Sequence, residues 1–424
     1  MRILLSAYAC EPNRGSEPGV GWSWATELAQ LGHQVWALTR DENRASIERD
    51  AHADSPNLNF IYYDLPRWVQ RMRKHPAGKL VYHMLWQWGA ARQVRRHFPE
   101  LPFDLVHHVT YVSARYPSFM GSLGLPFYFG PVAGGERVPY RLRSGFSLGQ
   151  HCRELARDLS DALVRHSPMM RGVFRRASRI FISPDTLALI PRRFRQKCQI
   201  QMPVYLTAEY LHKAAAVAQR SGLNILYAGR LVDWKGLDIA IRAIHHLRQS
   251  HPEVHFTIVG EGPSKAKLKK LIKRLELSSV VECIGWVPQS ILEEHYRCAR
   301  LVLFPSLRDA GATAVVEALA HGLPVVCANL GGPRVIVNER CGRVVPLTGG
   351  REELAVGFAD AVAEIVSTPR LWDSLSAGAL ERAREFNFSN LAQAIYPDSP
   401  FLATNLEHER SLQLNSLVPR DAAL

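Results

Sequence analysis

The chain alternates short apolar runs with helix-like segments along most of its length. In the first half, runs rich in β-branched and aromatic residues recur at 3–7, 34–38, 59–63, 105–108, 127–129 and 179–182. Helical patterns lie between them, over about residues 20–31 and 77–97. Strands that are apolar throughout and separated by helices are typical of a parallel sheet covered on both faces. The first half is therefore predicted to be an α/β domain.

The same alternation restarts after a polar, basic stretch at 195–201 and an alanine-rich segment ending at Ser221-Gly222, which together predict a linker. Beyond it, strands are predicted at 225–228, 255–259, 280–284, 301–304 and 324–328, with helices between them. Two similar α/β halves are therefore expected. In open parallel sheets, ligands bind beyond the carboxyl ends of the strands, so two facing domains would form a cleft.

The charge balance narrows the class of partner. The 52 Lys and Arg residues against 39 Asp and Glu residues give a net charge of +13, which favours anionic partners such as nucleotides, nucleic acid or an acidic membrane surface. Because no nucleic-acid-binding motif accompanies the charge, nucleic acid is not an expected partner.

The cysteines, the apolar runs and the N-terminal segment together indicate a compartment. The seven cysteines are scattered without a CxxC pair, which indicates free thiols in a reducing compartment. No apolar run reaches the roughly 18 to 20 residues of a membrane span. The opening MRILLSAYAC is short for a signal peptide and is typical of a buried first strand. We therefore expect a cytoplasmic protein.

The stretch from 301 to 328 carries the strongest chemical signal. A buried strand is followed by a loop with Asp309 and Gly311, and a helix is predicted to begin near Thr313 with Glu317 one turn inside it. A helix N-terminus favours a phosphate, and the two carboxylates would accept hydrogen bonds from nearby hydroxyl groups. This combination suits a sugar or a ribose beside a phosphate. The alternative is a pair of acids that only stabilise the helix N-terminus.

A second signal is the loop 227–236, where Arg230 and Lys235 follow a strand. Gly229 and Gly236 let the backbone approach a ligand. The planar fork of Arg and the point charge of Lys together suit a diphosphate, although two solvated surface cations would have the same pattern. No Asp-x-Asp motif occurs in the chain. Since that motif commonly holds a divalent metal on a diphosphate, we expect no metal site.

At these motifs the chain resembles the family 4 glycosyltransferases, which are retaining enzymes of the GT-B fold, and in particular their bacterial exopolysaccharide and lipopolysaccharide members. The matching pieces, in order, are GSEPGVGW (15–22), Gly32-His33, DLVHH (104–108), FGPVAGGE (129–136), GRLVDWKG (229–236), VGEGP (259–263), GWV (285–287), Asp309 to Glu317, HGLPVV (321–326) and GGP (331–333).

The resemblance implies two Rossmann-like domains that face each other across a cleft. An acceptor-binding domain would span 1–205, and a nucleotide-sugar-binding domain would span 206–387. A C-terminal helix at 388–400 would return to the first domain, and a tail would follow at 401–424.

The resemblance also implies roles for single residues. Arg230 and Lys235 would hold the donor diphosphate and take part in catalysis, and Glu317 would accept from the ribose. Asp309, at a position where the family usually has Glu, would bind hydroxyls of the donor sugar and take part in catalysis. Further donor contacts are implied at Gly15, Gly19, Gly229, Gly311, Ala312 and Thr313. Ala312 stands where many members have glycine.

The acceptor side of the cleft is assigned from the same resemblance. His107 and His108 end a strand, and their side chains must point to opposite faces of the sheet. We expect His107 to contact the acceptor or the sugar and to act in catalysis, with a packed core histidine as the alternative for either. His108 and Glu136, in the GPVAGGE loop, are the other candidate acceptor contacts.

The segment 67–97 combines eight Lys or Arg residues with tryptophans and no acid. This composition suits an amphipathic segment at an anionic membrane interface, while the alternative is a helix whose tryptophans pack against the domain.

The overall prediction is a retaining hexosyltransferase that uses a nucleotide sugar, with no further cofactor. Its acceptor would be a lipid-linked or oligosaccharide part of a bacterial surface glycan, reached from the inner face of the cytoplasmic membrane. A relative with a soluble acceptor and an inactive glycan- or nucleotide-binding relative are the alternatives.

Overall fold

Two parallel β-sheets organise the computed structural model, which describes residues 1–14, 16–214 and 222–397. The first sheet has seven strands in the order β3-β2-β1-β4-β5-β6-β7. They are β1 Arg2–Ser6, β2 Gln34–Arg40, β3 Leu58–Tyr63, β4 Leu105–His108, β5 Phe127–Val132, β6 Arg179–Ile182 and β7 Cys198–Ile200.

Helices cover both faces of this sheet. They are α1 Ser16–Gln30, α2 Arg44–Ile47, α3 Arg67–Gln70, α4 Pro76–His97, α5 Leu148–Val164 and α6 Pro168–Arg176. Leu5 of β1 packs with Trp24 of α1 on one face, and Leu4 packs with Trp86 of α4 on the other. Alternate residues of a strand point to opposite faces, so a strand buried on both sides has to be apolar throughout.

The second sheet has six parallel strands in the order β10-β9-β8-β11-β12-β13. They are β8 Leu223–Ala228, β9 Val254–Val259, β10 Val281–Gly285, β11 Leu301–Phe304, β12 Val325–Ala328 and β13 Gly342–Val345. The helices of this part are α7 Ala208–Ala214, α8 Leu237–Leu247, α9 Lys265–Arg274, α10 Gln289–Cys298, α11 Thr313–Ala320, α12 Pro333–Ile336, α13 Arg351–Ser367 and α14 Leu371–Glu385.

The last described helix, α15 Phe388–Ile395, returns to the first sheet. Just before it, Leu206 forms a parallel bridge with Asn387, so the two crossings of the chain lie side by side. Phe388 then packs edge-on against Trp24, with ring centroids 5.3 Å apart. The two halves of the chain are thereby tied at the back of the cleft.

The predicted α/β class with two parallel sheets is confirmed. Every predicted strand is present with its ends within three residues of the predicted positions, and the short edge strands β7 and β13 were not predicted. The predicted domain boundaries stay predictions. Part of the predicted linker (215–221), residues 398–400 and the tail 401–424 lie outside the described residues.

Candidate active site in the interdomain cleft

Two adjoining cavities lie where the carboxyl ends of the two sheets face each other. One, of about 320 Å³, is lined by Glu17 and Trp24 of the first domain and by Asp309 to Thr313 of the second. The other, of about 530 Å³, is lined by Gly19, Tyr210 and Glu317 among others. Thr313 and Tyr205 line both cavities. The start of α11 therefore forms the wall that the two cavities share.

The loop before α11 is held from behind by the glycines of the GGP motif. The Gly332 N–H donates to the Asp309 carbonyl oxygen at 2.7 Å. A Cβ on Gly331, whose φ is +59°, would lie 2.2 Å from that oxygen. The close approach of the two loops thus requires a glycine, and it fixes Asp309 in the loop that follows β11.

The two sequence motifs meet through an ion pair. Lys235 Nζ lies 2.5 Å from Asp309 Oδ2, and the side chains are only 15% and 20% exposed. Gly236 has φ +66°, and a Cβ there would lie 2.2 Å from the Pro305 carbonyl oxygen, so the basic loop packs directly on the end of β11. Arg230 is exposed on the same loop. The structure therefore brings Lys235 and Asp309 together as partners, although the sequence indicated separate roles.

Glu317 lines the larger cavity from one turn inside α11. Its Oε2 accepts a hydrogen bond from the hydroxyl of the buried Tyr296 at 3.1 Å. Burial raises the pKa of the Glu317 carboxyl to about 7, although the hydrogen bonds from Tyr296 and Gln289 oppose this shift. A carboxylate that titrates near neutral pH in a cavity is an acceptor whose strength depends on pH.

The glycine-rich element after β1 differs from the prediction. Gly15 lies outside the described residues. Gly19 lies in the first turn of α1, because this helix begins at Ser16 and not near Val20. Pro18 is accommodated there because a first-turn residue has no intrahelical use for an N–H. A Cβ on Gly19 would lie 2.1 Å from the Arg14 carbonyl oxygen, so this position also requires glycine.

His107 is fully buried, which corrects the expected contact with substrate. Its Nδ1 lies 2.5 Å from the hydroxyl of Tyr396, and its Nε2 lies 2.9 Å from the Gly130 carbonyl oxygen. Burial lowers the pKa of the His107 imidazole to about 3, so the ring is neutral and Nε2 donates to the carbonyl. This is the packed core histidine that the sequence left as an alternative, and it joins the end of α15 to the first sheet.

His108 and Glu136 are corrected in the same way. His108 is 2% exposed, and its Nδ1 lies 3.3 Å from Ser6 Oγ. Glu136 is 4% exposed and accepts from the Gly134 N–H at 2.9 Å and from Ser183 Oγ at 2.5 Å. Both side chains are used to hold the fold, so neither is placed to contact an acceptor in the cleft.

Sequence reasoning missed one pair at the edge of the smaller cavity. The Tyr111 N–H donates to Glu17 Oε2 at 2.8 Å, and burial raises the pKa of the Glu17 carboxyl. Tyr111 has φ +54°, a conformation that is costly for a bulky residue and is often found at functional sites. The only signal for this pair was Glu17 inside the GSEPG motif.

Among the residues that the structure describes, no group of three or more His, Cys, Asp or Glu side chains is arranged to hold a metal ion. The expectation of a metal-free site stays a prediction.

Ala312 has φ +66° at the N-cap of α11, where a left-handed backbone costs a non-glycine residue about 1–2 kcal/mol. We therefore expect Ala312→Gly to raise the free energy of unfolding by up to about 1 kcal/mol, because relief of strain exceeds the added freedom of the unfolded chain. Unfolding in urea measures this change in the free energy of unfolding. Ala314→Gly, inside α11, is the control and should destabilise by about 1 kcal/mol. Equal destabilisation by both changes would contradict the strain at residue 312.

Comparison with known proteins supports the resemblance drawn from the motifs. Residues 213–369 match the family described as Glycosyl transferases group 1. The chain is 32% identical over 195 residues to D-inositol 3-phosphate glycosyltransferase of Streptomyces scabiei, covering 43% of each chain. It is 24% identical over 318 residues to alpha-monoglucosyldiacylglycerol synthase of Acholeplasma laidlawii, covering 70% of this chain and 73% of the relative. The chain thus spans less than half the length of the Streptomyces relative.

The fold agrees with a solved structure as well. Anabaena Alr3699/HepE in complex with UDP superposes with a TM-score of 0.59 at 16% identity, covering 94% of this chain and 99% of the other. This likeness concerns the fold alone. Together with the two parallel sheets, it confirms the predicted GT-B fold, and residues 213–369 match the group 1 glycosyl transferases.

Proposed function

We propose that the protein is a retaining glycosyltransferase that moves a sugar from a nucleoside-diphosphate donor to a hydroxyl of an acceptor. The observation that carries the proposal is the meeting of the Lys235–Asp309 pair, the N-terminus of α11 and Glu317 along one wall of the cleft. Lys235 and the first N–H groups of α11 suit a diphosphate. Glu317 suits a ribose in the larger cavity, and Asp309 suits a sugar in the smaller one.

Catalysis would depend on stabilising the departing diphosphate. Negative charge develops on the leaving phosphate oxygen as the glycosidic bond breaks, and Lys235, Arg230 and the start of α11 would meet that charge. In a retaining reaction of this kind, the acceptor hydroxyl attacks on the face that the diphosphate leaves, and its proton goes to the diphosphate. No step requires a metal ion, so EDTA should leave the rate unchanged.

A screen of UDP-, GDP- and ADP-sugars tests the donor. A donor at 100 times its dissociation constant should stabilise the protein by about 2.7 kcal/mol against thermal unfolding. The name of the Anabaena structure, in complex with UDP, makes the uridine donors the first choice. Absence of stabilisation by every donor would contradict the proposal, and the anomeric configuration of the product, read by NMR, tests retention.

The alternatives are distinguished by turnover. A relative with a soluble acceptor is supported by the name of the Streptomyces protein, D-inositol 3-phosphate glycosyltransferase, because an inositol phosphate is a soluble molecule. An inactive binding protein would bind the donor without product, as read by mass spectrometry.

We further propose a lipid-linked acceptor, a unit of a growing surface glycan, and docking on an anionic membrane. None of the helices in the described ranges is both long and apolar enough to cross a bilayer. The name of the Acholeplasma relative, a glucosyldiacylglycerol synthase, supports a lipid acceptor.

The segment 67–97 has features of both hypotheses, a helix packed against the domain and an amphipathic segment at a membrane. Trp86 and Tyr82 are fully buried against the first sheet, as in a packed helix, whereas Trp68 and Trp88 are 72% and 49% exposed. The outer face of α4 also exposes Val81 and Leu85 beside its basic residues.

A second apolar face, not recognised in the sequence, lies on α5. Leu155, Leu159 and Leu163 are each more than 60% exposed and follow one another at helical spacing. All three acids of α5 pair with arginines: the buried Glu154 with Arg308, the partly exposed Asp158 with Arg143 and the buried Asp161 with Arg115. Both helices contribute to one core cluster on the same face of the sheet. No acid of α5 is fully exposed beside its leucines, and α4 exposes basic residues beside its own apolar face, so each face suits an anionic membrane.

Replacing Leu155, Leu159 and Leu163 together by Ser should lower binding to anionic vesicles at least tenfold, because each leucine that enters the interface contributes roughly 1.5 kcal/mol or more. Co-sedimentation measures the binding. Trp286→Ser is the matched control, since Trp286 is 74% exposed on the other domain. Unchanged binding of the triple variant would contradict docking through α5.

A further inference from the structure

A large cavity of the first domain lies outside the cleft. It has a volume of about 810 Å³ and is lined by Tyr8, Arg40, Arg73, Lys79 and His83 among others. The donor motifs contribute nothing to it, and neither candidate acceptor histidine lines it.

The cavity carries a surplus of positive charge. Arg40, Arg73, Lys74 and Lys79 line it, against the single carboxylate of Glu42. Glu42 binds both arginines, with Arg73 Nη1 at 2.7 Å from its Oε2, and so fixes the two guanidinium groups in place. Lys74 and Lys79 are exposed. Three positive charges in excess would attract an anion with more than one charge.

His83 adds a neutral polar ring to the lining of the cavity. It is 5% exposed and lines the cavity, and its Nδ1 has no hydrogen-bond partner among the described residues. Its Nε2 lies 3.5 Å from the amide nitrogen of Gln87. Burial lowers the pKa of the imidazole to about 4, so the ring is neutral. Gln87 Oε1 has no partner either, so the Gln87 amide can donate to Nε2 or accept from it. An anion beside Nδ1 would select the first arrangement, in which Nδ1 carries the proton and donates to the anion.

The cavity adjoins the reacting centre. Tyr111 lines it, and the Tyr111 N–H donates to Glu17, which lines the smaller cavity of the cleft. One loop therefore separates the two spaces. On its other side, α4 contributes Lys79 and Leu80 to the cavity and presents Val81 and Leu85 to the outside, so the cavity opens beside the apolar face.

We propose that this cavity binds the phosphate or diphosphate group of the acceptor, so that the acceptor hydroxyl reaches past Tyr111 into the cleft. The proposal rests on the proposed glycosyl transfer and names the acceptor as a phosphate ester. Lys74 and Lys79 supply mobile charges, the arginines held by Glu42 supply fixed ones, and His83 supplies the neutral donor. The phosphate can belong to a lipid or to a soluble sugar phosphate.

Calorimetry with the donor site filled by UDP tests the proposal. The probes are decyl phosphate, myo-inositol 1-phosphate and, as the uncharged comparison, decanol. We expect at least one phosphate probe to bind and to lose affinity about tenfold or more in Lys74→Gln/Lys79→Gln. Tighter binding of decyl phosphate would identify a lipid source, and tighter binding of the inositol phosphate a soluble one. His83→Phe should also weaken the binding of the same phosphate probe.

Lys273→Gln, an exposed lysine of α9, is the control and should bind the probe as the wild type does. The affinity for UDP should be unchanged in all these variants, which separates this site from the donor site. Because Lys74 and Lys79 are exposed, their replacement does not depend on repacking of the core. Equal binding of the probe by wild type and lysine variant, or no binding of either phosphate, would overturn the inference, whether or not the protein transfers sugar from a nucleotide donor.

Discussion

Lys235→Ala is expected to lower turnover with the sugar donor by a factor on the order of 10² to 10³, as removal of one oxyanion-stabilising donor does in other enzymes. Lys235 lies 2.5 Å from Asp309 in a largely buried pair. Its removal would therefore take a cation from the proposed diphosphate site and would also leave the Asp309 carboxylate unpaired. For this reason the loss should exceed that of Arg230→Ala, which removes an exposed cation only. Steady-state rates at saturating donor measure both.

Arg343→Ala is the matched control, because Arg343 of β13 also forms an ion pair, with Glu364 at 2.8 Å. It should keep the wild-type rate. Lys235→Arg should recover part of the activity, since it restores the charge but not the shape of the ammonium group. A wild-type rate in both Lys235→Ala and Arg230→Ala would remove these residues from the reaction.

The apolar pattern predicted the buried central strands well, but it did not indicate the short strands at the edges of the sheets. β4 and β11 are buried on both faces, so every residue had to be apolar or internally bonded, and the pattern marked their ends without error. β7 and β13 are short edge strands with partly exposed residues, and their sequences carry little apolar signal. The start of α1 was missed because Gly19 and Gly21 resemble a loop, whereas both are selected for close backbone approaches.

The candidate site was predicted best where the chemistry is local. The donor-side candidates are neighbours on one loop and helix, namely Asp309, Thr313 and Glu317. Their spacing in the sequence alone therefore indicated that they line the same wall of the cleft. The predicted substrate contact of His107 was wrong because its ring bonds to Tyr396, which is 289 residues away in the sequence. No local pattern indicates this contact. The cavity around His83 was missed for the same reason, since Arg40 and His83 meet only through the packing of α4 on the first sheet.

Replacement of the two acids of the cleft, Glu317 and Asp309, should impair different properties of the protein. Glu317→Ala should weaken binding of free nucleoside diphosphate about tenfold or more, because the ribose loses its charged acceptor. Asp309→Ala should keep that affinity within about threefold, less than roughly 0.7 kcal/mol, or increase it, since Lys235 is released to the phosphates. Transfer of the sugar should nevertheless fall strongly in Asp309→Ala. Calorimetry with the diphosphate, beside turnover with the donor, measures both properties.

The raised pKa of Glu317 adds a pH signature to this prediction. In the proposed site the ribose hydroxyls would donate to the carboxylate, and the pKa of Glu317 in the free protein is about 7. The ratio of wild-type to Glu317→Gln affinity should therefore be near one well below pH 7 and should rise to a plateau above it. Titration of the diphosphate itself is common to both proteins and cancels in the ratio. A ratio that does not change with pH would contradict the contact of Glu317 with the nucleotide, and equal loss of diphosphate affinity in both alanine variants would show that Asp309 also binds the nucleotide.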